Sequence, residues 1–173
     1  MKKLTSTLIA SLFAVVTGAS AQPAAPNDAQ IAAIVVMANT VDINAGKLAE
    51  KMASSSDVKA FATQMVTDHA GVNKQATALV RKLHVTPEEN DTSKSLKNGG
   101  DQNLASLKRM KGKEFDKAYV DDEVTYHQTV IDALDKTLIP SAKNAELKDL
   151  LVKTRPAFVT HLEHAKHIQA GLK

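Results

Sequence analysis

The stretch Val58–Leu83, VKAFATQMVTDHAGVNKQATALVRKL, decides the fold. Val58, Ala62, Met65, His69, Val72, Ala76, Leu79 and Leu83 recur three and four apart along it. That spacing puts all eight on one face of an α-helix and leaves the charged residues on the other. Alternation with a period of two, the mark of a strand, is absent from the stretch. Ser54-Ser55-Ser56-Asp57 precedes it and predicts a break followed by a cap, because Ser and Asp side chains accept from free amides of the first turn. Pro87 disfavours helix just before it, so the helix is expected to end near His84.

The same spacing recurs outward in both directions. Upstream, Ile31, Ile34, Ala38, Val41, Ala45, Leu48 and Met52 form a seam on a helix of about 25 residues. Asn27, with Gln30 three residues on, predicts its capping box. Downstream, a third long helix is expected from Lys113 to Leu138, with Val120, Val124, His127, Ile131, Leu134 and Leu138 as its seam and Pro140 as its stop. A fourth runs from Asn144 to the C-terminus with Leu147, Leu151, Thr154, Phe158, His161, Ala165, Ile168 and Leu172 inward, and with Pro156 predicted to kink it. His84 reads as a helix-end residue. Between the second and third helices, residues 86–112 are polar and contain Asn98-Gly99-Gly100. A short helix around Leu104 and Leu107 is predicted within this crossover, which is long enough to run from one end of a bundle to the other. Two helical hairpins joined by one long crossover define an all-α, ferritin-like four-helix bundle. A faint internal repeat agrees: Phe61 lies eight before His69, and Tyr119 eight before His127.

The chain has 173 residues, one domain's length, and no cysteine or tryptophan. Disulfides, thiol nucleophiles and zinc–thiolate sites are thereby excluded, and aromatics at 3% argue against a base-stacking nucleic-acid binder. Met1-Lys2-Lys3, the apolar stretch Leu8–Val16 and Ala19-Ser20-Ala21 make a secretory signal peptide over residues 1–21, followed by a short leader, 22–26, and the bundle, 27–173. No lipoprotein cysteine stands at the cleavage point. The expected location is the periplasm, with no membrane span in the mature chain. Loss of Lys2 and Lys3 lowers the net charge from +3 to +1. The basic run Lys108–Lys113 is followed at once by Glu114 and Asp116 and reads as a solvated helix end. Asn90-Asp91-Thr92 is a formal glycosylation sequon, relevant only in a eukaryotic source.

Three histidines stand on seam positions of three different helices. At 1.5 Å per residue, His69 lies about 18 Å, His127 about 21 Å and His161 about 24 Å from its helix start, so all three are expected near mid-height. Asp42, beside Val41 on the first helix, and Glu123, one turn from His127, are expected in the same layer. Neutral imidazoles with carboxylates suit zinc, copper or iron. The alternative is a set of hydrogen-bonded core histidines that fix bundle register. His164 is a weaker candidate at the seam edge, and His167 drifts outward from it. The diiron pattern of Glu-x-x-His does not occur, so ferroxidase chemistry is disfavoured. No Gly-rich phosphate loop, GxSxG elbow or HExxH is present, and no nucleophile–base pair can be read, so catalysis is not predicted.

The blocks Ala38–Ala49 and Val58–His69 resemble those of the DUF4142 family. Phe115-Asp116-Lys117-Ala118-Tyr119 with His127, and Pro156 with His161-Leu162 and Ala165, are similar to its later blocks. The resemblance implies an exported ferritin-like bundle, often given an outer-membrane label, with no established activity. The family pattern usually has Glu where Asp42 stands and often an acid where Tyr126 stands. Neither a barrel pattern nor a lipid anchor accompanies that label here. Two functions are therefore carried forward. One is a periplasmic metal-binding protein using His69, His127 and His161, with Asp42 or Glu123 assisting. The other is a non-catalytic envelope stress or interaction module with structural histidines, its partner surface on the crossover Thr86–Gly112. The protein partner is open, and a homo-oligomer is compatible with either.

Overall fold

The computed structural model describes residues 25–172. The expected signal segment, residues 1–21, lies outside them. The described residues form α1 (Asp28–Met52), α2 (Ser56–Lys82), α3 (Asp91–Leu107), α4 (Gly112–Ala133), a π-helical turn (Leu134–Leu138), a short α5 (Ile139–Ser141) and α6 (Ala145–Gly171). Helix α1 packs on α2, α2 on α6, α6 on α4 and α4 on α1, which closes a ring of four. Polar ties fix the directions. At one end, the Asp28 carboxylate accepts from the amides of Lys143 and Asn144, seating the start of α6 beside the start of α1. At the other end, Asp116 near the start of α4 meets the loop between α1 and α2. Thus α1 and α6 run one way, and α2 and α4 the other. Two consecutive bundle helices that run parallel across the diagonal of the ring, α2 and α4, require a connection that spans the bundle, as the ferritin-like topology demands.

That connection is itself a helix. In place of a polar crossover with a short helical piece near Leu104 and Leu107, α3 occupies 17 residues. Asn90 opens it with a capping box shared with Ser93. The Asn90 of the formal sequon is therefore a helix cap, and its amide also donates to the Gln30 carbonyl at 3.2 Å. Helix α3 lies along α1 in the same direction. Gly100 permits the approach, because a Cβ there would stand 2.8 Å from both methyls of Val41. Gly46 does the same between α1 and α2, where a Cβ would meet Val66 at 2.9 Å.

The caps correct the sequence reading in two places. Ser55 makes no side-chain cap for α2. Asp116 instead ties down the loop before α2 from α4, accepting from the amides of Ser54 at 2.8 Å and Ser55 at 2.9 Å. Pro140 does not stop the third long helix at Leu138. The rod passes through the π turn into α5 and ends at Ser141, one residue past Pro140. The expected end at His84 is met by a left-handed residue, φ +53°, just past the helix.

Helix α1 departs from a single seam. Ile31 to Val35 are buried without interruption, and Asp42 is buried while Val41 is only half-buried. Three neighbours cover α1, namely α2, α4 and α3. This wide apolar arc gives α1 the length and composition of a membrane-crossing helix, although 44% of its most apolar window is buried in the bundle. The core itself is two apolar clusters, one around Ile31, Leu134, Leu151 and Phe158 and one around Phe61, Met65, Phe115 and Tyr119. Between them lies a layer of buried polar side chains.

Candidate metal centre

The polar layer contains Asp42 from α1, His69 from α2, Glu123 and His127 from α4, and His161 from α6, each at most 3% exposed. Four helices thus supply it, and the heptad-like spacing delivers each group at mid-height. The three imidazole rings lie with centroids 5.3 to 5.6 Å apart. One ring nitrogen from each falls within 4.8 Å of the other two. Asp42 Oδ2 stands 3.2 Å from His69 Nε2 and 3.6 Å from His127 Nε2. Asp42, Glu123 and His127 form a second such group that shares His127 with the first.

The outer contacts assign the tautomers. His69 Nδ1 lies 2.8 Å from Asn39 Oδ1. The Asn39 amide nitrogen already donates to the Val35 carbonyl at 2.7 Å, so its oxygen faces the ring and His69 Nδ1 carries the proton. His127 Nδ1 lies 3.0 Å from the Glu123 carbonyl, an acceptor only, and so donates to it. His161 Nε2 lies 2.9 Å from the half-exposed Asp68 carboxylate and donates there. The remaining nitrogens are His69 Nε2, His127 Nε2 and His161 Nδ1. All three are buried without a hydrogen-bond partner, as are both Asp42 oxygens, Glu123 Oε2 and the Tyr119 hydroxyl. Buried polar groups normally find partners, and here the unpartnered ones are concentrated in one layer.

The electrostatics follow from burial. Burial drives His69 down from 6.5 to about 2, with His127 and His161 adding to the effect. His161 is lowered for the same reason, against the pull of Asp68. Burial raises Asp42 well above the carboxylate range, and Glu123 adds to it. Glu123 itself rises from 4.5 to about 8 by burial, partly offset by the neighbouring Tyr119 hydroxyl. At neutral pH the His69 and His161 rings are therefore neutral, with lone pairs available, and the two acids hold protons that a cation can replace. An imidazole that donates its other N–H to a carbonyl, amide or carboxylate is the arrangement found around metal-ligating histidines.

Five of the six residues read from the sequence are therefore brought together: His69, His127, His161, Asp42 and Glu123. His164 is exposed and belongs to neither group. Its ring packs edge-on against Phe61, and its Nδ1 faces Gln64 at 3.2 Å. Asn39 and Asp68, which set two of the three tautomers, were missed. Asn39 stands three residues before Asp42 and Asp68 one before His69, so a search one turn around each candidate ligand would have found both. Tyr119 enters the sequence reading as a repeat position and within a family block, not as a member of the layer.

No curated protein and no solved structure matches this chain. A family model matches residues 14–168, most of the length and a span that includes His69, His127 and His161. The chain belongs to the family described as Domain of unknown function (DUF4142).

Proposed function

We propose that this bundle is an exported, periplasmic metal-binding protein that holds one transition-metal ion in its core. His69 Nε2, His127 Nε2 and His161 Nδ1 are the ligands, with Asp42 completing the set and Glu123 assisting. One observation carries this reading: three buried imidazoles, each tethered at one nitrogen, direct their free nitrogens at a common space beside a buried carboxyl group. Nitrogen and oxygen donors in this ratio suit zinc, copper or iron. Three imidazoles and a carboxylate fill a tetrahedral shell, which favours holding a metal over opening it to a substrate. Export rests on the basic and apolar N-terminal residues 1–21 and their Ala-x-Ala site.

The test is metal content of protein purified without a polyhistidine tag, beside the triple variant His69→Ala, His127→Ala, His161→Ala. The expected result is near-stoichiometric metal in the wild type, none in the variant, and a rise in Tm on adding zinc, copper or iron to metal-free wild type. Metal-free wild type whose Tm ignores all three ions would overturn the reading. Export is checked separately, by finding the protein in the periplasmic fraction with Gln22 as its first residue.

A further inference from the structure

A cavity of about 120 Å³ lies within the upper apolar cluster, on the Asp28 side of the histidine layer. Helices α1, α3, α4 and α6 enclose it with Val72 of α2, and Leu134 and Leu138, at the two ends of the π turn, border it. Its inner end is formed by Asn39 and Phe158. Both back onto His69, Asn39 through the 2.8 Å contact to Nδ1 and Phe158 through rings 5.2 Å apart. Its mouth is marked by the exposed Thr92 and Thr129, between α3 and α4.

The lining offers almost nothing to water. Most of it is aliphatic or aromatic. The Thr129 hydroxyl donates to the Thr125 carbonyl at 2.8 Å, and Thr154 to the Leu150 carbonyl at 3.0 Å. The Asn39 amide is spent on Val35 and His69. A water needs two to four polar partners, so an apolar cavity of this kind stays dry. An engineered apolar cavity of about 150 Å³ takes up benzene or xenon for that reason. π turns, rare in helices generally, are frequent at functional sites.

We propose that this cavity is a binding site for a small, uncharged, apolar molecule, up to about the size of a single aromatic ring, seated against the back of His69. The site does not depend on metal in the core. The ligand gains by covering aliphatic surface that otherwise faces a void, and a charged group is excluded because nothing in the lining can solvate it.

The experiment uses the purified metal-free protein with benzene, xenon and, as the charged counterpart, benzoate. Benzene and xenon are expected to raise Tm saturably and to shift the NMR signals of the Phe158 ring and His69. Benzoate is expected to do neither. Ala133→Leu fills the cavity from its wall, and Thr129→Leu blocks it from the exposed mouth with little risk to folding. Each is expected to weaken benzene binding at least tenfold. No saturable response to benzene or xenon overturns the proposal. So does a response that survives undiminished in Thr129→Leu, whichever way Ala133→Leu folds.

Discussion

Raising the pH of the metal-free protein from 6.5 to 8 should destabilise it, and Glu123→Gln should remove a defined share of that loss. Glu123 is buried and holds its proton to about pH 8, whereas in the unfolded chain it ionises near 4.5. Its stabilising contribution is fully present below 4.5 and is lost as pH rises toward 8, at about 1.4 kcal/mol per unit. His69 has the opposite sign. Its value is lowered from 6.5 to about 2, so its contribution is present above 6.5 and is lost as pH falls through that window. Between 4.5 and 6.5 the two slopes oppose each other. Above 6.5 the buried acids act alone. Glu123 then costs about 2 kcal/mol between pH 6.5 and 8, and Asp42, also raised by burial, acts in the same direction. In a domain of this size that is roughly 4–8 °C of Tm. The assay is urea unfolding followed by far-ultraviolet circular dichroism, with a chelator present, from pH 5.5 to 8.5. Glutamine preserves the shape of Glu123 and does not titrate, so the variant's slope above pH 6.5 should fall by the Glu123 share. Saturating zinc should flatten the wild-type slope, because the cation replaces the protons. A wild type whose unfolding free energy is flat from 6.5 to 8, or a variant with an unchanged slope, would refute the protonated core carboxyls.

Three further outcomes are expected. Asp116→Ala leaves the amides of Ser54 and Ser55 without their acceptor and should cost about 1–3 kcal/mol in urea unfolding, with metal stoichiometry unchanged. Gly100→Leu drives a side chain into Val41, where even a Cβ would stand at 2.8 Å, and should cost about 1–3 kcal/mol. Hydrogen exchange should show that loss concentrated in α3. Asn39→Leu removes the acceptor from His69 Nδ1 and should weaken zinc affinity about 10–100-fold, read by competition with a chromogenic chelator.

The four bundle helices were legible because their apolar residues keep the helical period over 20 residues or more, as from Val58 to Leu83. Helix α3 was only partly legible. Its apolar residues Leu96, Leu104 and Leu107 are too sparse to make a seam, and Gly99-Gly100 reads locally as a break. What holds it is a tertiary partner, the second apolar face of α1. That face also explains why α1 was assigned too narrow a stripe. A lone seam through Val41 places Asp42 at its margin, whereas a helix covered on three sides leaves Val41 half-buried against α3 and buries Asp42 in the layer. The heights of the histidines followed from counting residues. The hydrogen bonds at their outer nitrogens did not, because whether Asn39 faces His69 depends on how α1 is rotated against α2.

Those outer hydrogen bonds also weigh one function against the other. Histidines that served only to fix register would be stable with both ring nitrogens paired, since each unpaired buried atom carries its own desolvation cost. Here each ring is paired on one side only. The three lone pairs left over face one another and the Asp42 carboxyl. A protonated Asp42 has one hydrogen to give, to His69 Nε2 or to His127 Nε2, and neither choice serves His161 Nδ1. The second carboxyl proton of the layer, on Glu123, lies at the other nitrogen of His127, with Oε2 3.3 Å from Nδ1. A cation among the three inward nitrogens, as proposed above, would satisfy them at once and leave every outer bond in place. The same layer interrupts an apolar core that Leu, Ile and Phe would have filled at lower cost, and the metal site proposed above is the gain that would offset it.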